Sequence, residues 1–94
     1  MNEEKIIEAR KMLCQHLREL AKEKNISQDE IAEKTGFKQQ NVSRVLSGKY
    51  APTLDVFIKI AESVDAYFFI IDKNADDELC ELMRNRWGQN KNVN

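Results

Sequence analysis

The chain has 94 residues, of which 33% are charged and 41% hydrophobic, and its formal net charge is −1. This suits one small soluble domain with a single modest core and excludes a broadly basic nucleic-acid binder. The longest apolar run, AYFFII, is far short of the ~20 residues of a membrane span, and the N-terminal MNEEKIIEARK lacks the apolar centre of a signal peptide.

Cytoplasmic location is therefore expected, with no membrane contact. Cys14 and Cys80 are the only cysteines and form no CxxC, and His16 is the only histidine. Buried or half-buried reduced thiols are expected rather than a zinc site or a redox pair. No nucleophile–base pair, metal cluster or phosphate loop stands out, so no enzyme activity, metal or cofactor is expected.

Charge is unevenly placed. Between Glu33 and Asp55 there is no acid, while Lys34, Lys38, Arg44 and Lys49 all fall there. From Asp72 to Glu81 the balance reverses, with Asp72, Asp76, Asp77, Glu78 and Glu81 against Lys73. One segment can face an anion, and the other would repel it.

In chain order, residues 3–24 form the first expected helix, with Ile6, Leu13, Leu17, Leu20 and Ala21 at helical spacing and Asn25 as its stop. NISQDEIAEKTG then predicts a second helix over 28–35. Ser27 and Glu30 make a capping box, Ile26 and Ile31 a hydrophobic staple, and Gly36 the exit. A third helix is expected from Gln39, with Val42, Val45 and Leu46 inward and Gly48 closing it. Lys38 at its N-cap is a poor cap. Thr53 caps a fourth helix carrying Leu54, Phe57, Ile58, Ala61 and Val64.

The period then changes. AYFFIID predicts a strand over 67–72, the only good strand in the chain. A lone strand leaves unpaired N–H and C=O groups. The economical partner is the same strand of a second copy, antiparallel across a two-fold axis, with Tyr67, Phe68, Phe69, Ile70 and Ile71 at the interface. Residues 76–87 can form a last helix, with Leu79, Leu82, Met83 and Trp87 roughly on one face and Asn74 or Asp76 as cap. Residues 88–94 read as a disordered tail. The expected organisation is thus a helical domain over 1–65, a dimerising strand and short helix over 66–87 in the same compact unit, and the tail.

Two short helices joined at Gly36, with Ala32 at their crossing, match a helix-turn-helix unit. The second helix is left with a free face of Gln39, Gln40, Ser43, Arg44 and Ser47, which can enter a major groove. From about Leu13 to Val64 the chain resembles the Cro-like, XRE-type helix-turn-helix family of phage and bacterial repressors. The resemblance rests on ISQDEIAEKTGFKQQNVSRVLSGKYAPTLDVFIKIAESV. It implies a mainly α, phage-repressor-like bundle of four to five helices whose third helix reads DNA.

Gln can bond bidentately to adenine and Arg to guanine, so Gln39, Gln40, Ser43 and Arg44 are the base-reading candidates. Asn41 is a weaker one. The resemblance places Gln28 to brace Gln39 and to meet a phosphate at its helix N-terminus. Lys38, Ser47, Lys49 and Tyr50 suit backbone phosphates. A symmetric dimer would set two such helices about 34 Å apart on a palindromic operator in double-stranded DNA. The leading expectation is a dimeric repressor. The strand after the helix-turn-helix is also similar to HipB-type antitoxins, which implies a toxin protein as a further partner. A third reading is an adaptor that keeps the fold and binds protein.

Overall fold

The computed structural model describes residues 2–68, 70, 72–74 and 77–85, without the side chain of Met83. Five helices follow one another: α1 (Glu3–Glu23), α2 (Gln28–Thr35), α3 (Gln39–Leu46), α4 (Leu54–Ser63) and α5 (Asp77–Met83). The protein is mainly helical, as expected.

Three of the first four starts are set locally. Asn2 accepts the Lys5 N–H at 2.9 Å, Ser27 accepts that of Glu30 at 3.1 Å, and Thr53 accepts that of Val56 at 3.2 Å. These oxygens satisfy donors that have no partner inside the helix. The Glu30 carboxylate also meets Lys34 Nζ at 3.7 Å, an i,i+4 pair. Lys38 makes no side-chain cap bond, so α3 starts without that support.

The exits follow the same logic. Asn25 takes a left-handed φ of 58° after α1, and Gly36 takes 81° after α2. The Gly36 N–H donates to Ala32 O at 2.8 Å. Two lysines reach α4 from elsewhere in the chain. Lys24 Nζ donates to Val64 O at 2.6 Å, and Lys34 Nζ donates to Ser63 O at 3.5 Å. Cations at the last carbonyls complement the negative end of the helix dipole.

Cys14, Leu17 and Ala21 of α1, Ile31 of α2, Val42, Val45 and Leu46 of α3, and Phe57, Ile60 and Ala61 of α4 meet in one core, closed by Val64. Ala32 and Phe37 pack against its edge. Cys14 is fully buried, and desolvation pushes its thiol pKa up, with Arg10 partly opposing. The protonated thiol therefore behaves as a small apolar core residue.

The C-terminal part differs from the sequence expectation in two respects. Tyr67, Phe68, Ile70 and Asp72 carry no strand assignment, while Phe69 and Ile71 lie outside the described residues. A strand is defined by its ladder, and the described residues of a single chain hold no second strand to supply one. Phe68 instead packs edge-on against Phe57, with ring centroids 5.3 Å apart.

In α5, Cys80 is buried and Leu82 is 54% exposed, so the expected face is not turned inward as a whole. The Cys80 thiol donates to Lys73 O at 3.0 Å, which seats α5 on the turn before it. Asp76, Trp87 and the tail lie outside the described residues.

Candidate nucleic-acid interface

The inner side of α3 fixes its outer side. Val42 and Leu46 are buried one turn apart, with Val45 beside them, against α1 and α2. Helical geometry then leaves Gln39, Gln40, Ser43, Arg44 and Ser47 on the remaining arc. Gln39, Gln40, Asn41, Arg44 and Ser47 are exposed, and Ser43 is half-buried. The residues expected to read bases are thus brought onto one helix face.

Gln28, at the first position of α2, is half-buried. Gln39 Nε2 donates to Gln28 Oε1 at 3.1 Å, the contact implied by the family resemblance. It joins the N-terminal turns of both helices, where unsatisfied N–H groups and the positive end of each dipole favour an anion.

Lys38, Lys49 and Tyr50 are also exposed and flank α3 at its two ends. Lys34, the other cation of the acid-free stretch, is drawn instead to Glu30 and the end of α4. Lys59 of α4 lies 5.7 Å above the Phe37 ring, beside the start of α3.

Four contacts at the end of α3 were not legible in the sequence. The Ser47 hydroxyl donates to Arg44 O at 2.6 Å and accepts the Lys49 N–H at 3.2 Å. Gly48 has φ 78°, and a Cβ there would sit 3.3 Å from Lys11 Cα, so α1 passes directly behind the turn. Arg44 Cζ lies 5.0 Å from the centroid of the Tyr50 ring. Arg44 and Tyr50 are six residues apart across a glycine turn, a separation that no helical or strand period brings together.

Tyr67, Phe68 and Ile70 are exposed, and Tyr67 and Ile70 are almost wholly so, at 97% and 91%. Phe69 and Ile71 of the expected dimer interface lie outside the described residues.

A short helix held by a tight glycine turn, with a polar outer face and a buried inner one, defines the helix-turn-helix class. The family model for the helix-turn-helix matches residues 17–65, just over half of the chain. The chain belongs to the XRE-type helix-turn-helix family, whose members are DNA-binding transcription regulators. Neither a curated protein nor a solved structure matches it. No helix among the described residues is long and apolar enough to cross a membrane.

Proposed function

We propose that the protein is a sequence-specific repressor that binds double-stranded DNA as a homodimer, with α3 in the major groove. The observation that carries this reading is the outer face of α3. It presents two glutamines, a serine and an arginine in a stretch free of acid. Gln39, Gln40, Ser43 and Arg44 read base edges, with Asn41 beside them. Gln28 braces Gln39, and Lys38, Lys49 and the turn after α3 meet phosphates. The exposed Tyr67 and Ile70 support pairing of the 67–71 segment with a second copy, since large apolar side chains in water favour a covered state. The operator is then palindromic, and the domain over 1–65 carries the DNA contacts while 66–87 joins the copies.

The test is a duplex selected from a random pool with the full-length protein, followed by salt titration. Affinity should fall steeply with salt, and Arg44→Ala should weaken binding by about 1–3 kcal/mol in a folded dimer. Affinity independent of salt would remove the phosphate contacts and the reading with them.

A second reading, an antitoxin that also binds a toxin protein, is favoured by one feature. Leu82 on α5 is exposed beside Glu78 and Glu81, and Arg84 meets Glu81 at 3.2 Å, so an apolar side chain stands among charged ones. A stable complex with the product of an adjacent gene, lost in Leu82→Lys, would support it, and no such complex would remove it.

A further inference from the structure

Arg44 projects from the exposed face of α3 as a long side chain in water. Such a side chain samples many rotamers, and fixing it on DNA costs entropy. In the free protein, however, its guanidinium already lies over an aromatic ring, 5.0 Å from the Tyr50 centroid. The turn that leads to the ring is held on both sides. The Ser47 hydroxyl ties Arg44 O to the Lys49 N–H at 2.6 and 3.2 Å. The Gly48 N–H donates to Val45 O at 3.1 Å, and Arg10 Nε donates to Gly48 O at 3.4 Å. Gly48 is buried against Lys11, so the turn carrying Tyr50 is fastened to α1 from behind.

We propose that Tyr50 is a positioning residue for Arg44: its ring orders the guanidinium on the face of α3 before DNA arrives, and Ser47 and Gly48 build the turn that presents the ring. This rests on the groove reading of α3 and changes two assignments within it. The Ser47 hydroxyl is engaged in the turn, and Tyr50 acts through its π-face rather than through a phenol–phosphate contact. A cation over a ring face needs the aromatic carbon skeleton and not the hydroxyl. The two roles therefore separate on one substitution.

The experiment is a double-mutant cycle on the selected duplex, joined to NMR of the free full-length protein. Tyr50→Leu should weaken binding about three- to tenfold, the range expected for a partly exposed cation–π contact. Tyr50→Phe should stay within about twofold of the parent. In an Arg44→Ala background, Tyr50→Leu should change affinity by less than about twofold, because the group it positions is gone. Without DNA, the Arg44 Nε–Hε resonance should be ring-shifted in the parent and in Tyr50→Phe and should relax in Tyr50→Leu.

Tyr50→Phe binding as weakly as Tyr50→Leu would overturn the proposal in favour of a hydroxyl contact. Equal losses from Tyr50→Leu in both backgrounds would overturn it as well. An unshifted Arg44 resonance in the parent would overturn the stack whatever DNA does. Normal binding by Arg44→Ala alone would sink the groove reading itself, a failure distinguishable because the free-protein resonance does not depend on it.

Discussion

The outer face of α3 and the apolar side chains of Tyr67, Ile70 and Leu54 are all exposed, but water treats them differently. Gln39, Gln40 and Arg44 are polar, so their exposure costs little in the free protein while they wait for a partner. Tyr67, Ile70 and Leu54 are 97%, 91% and 60% exposed, and each carries apolar surface into water. Leu54 also lines, with Ile6, Leu13, Phe57 and Phe68, an open groove of about 370 Å³ that has Arg10 as its charged member. The first surface fits a partner met reversibly. The second fits one that stays, since burying apolar area stabilises by about 25 cal/mol per Å².

The α3 face rests on the core behind it, so the largest effect should come from removing a core residue. Ile31 is fully buried between α2 and the rest of the core. Ile31→Ala should cost about 2–5 kcal/mol of stability. Urea unfolding followed by circular dichroism measures this directly. A midpoint near that of the parent would mean that Ile31 does not anchor α2 to the core.

The next effect separates the two surfaces. Ile70→Asp puts a charge among the exposed apolar side chains and leaves α3 untouched. It should yield a folded monomer by sedimentation and lower operator affinity by about a hundredfold, the scale lost when two linked sites become one. Arg44→Ala should do the reverse, remaining dimeric while binding weakens. If Ile70→Asp stays dimeric, pairing through the 67–71 segment is removed.

The same division separates what the sequence made legible from what it did not. Ser27, Gly36 and Thr53 act on backbone within a few residues, so the bounds of α2 and the start of α4 followed from spacing alone. Val42, Val45 and Leu46 fixed the inner side of α3 by period, and the free side followed by elimination. The β-branched and aromatic pattern at 67–72 predicted a strand, but a ladder needs an edge to pair with, and the described residues of one chain offer none. The period of α5 could not show that Cys80 would turn inward while Leu82 stayed in water. That choice depends on what the helix packs against. The Arg44–Tyr50 stack depends on how Gly48 folds against α1, a long-range contact with no local signature.

The smallest effect tests a compromise at Lys38. As N-cap of α3 it lacks a side chain that can accept a hydrogen bond, and none is made. Three other helices of the bundle start with such a bond. Lys38→Ser should therefore stabilise the free protein by about 0.5–1 kcal/mol, seen as a higher urea midpoint. The same change removes an exposed cation from the N-terminal end of the groove face. If Lys38 meets a phosphate, the slope of log affinity against log salt should fall by about 0.9 per subunit. A gain in stability with an unchanged slope would clear Lys38 of any DNA contact and leave its place at the cap unexplained. A gain in stability with a shallower slope would show a residue held at a poor cap because the position faces an anion.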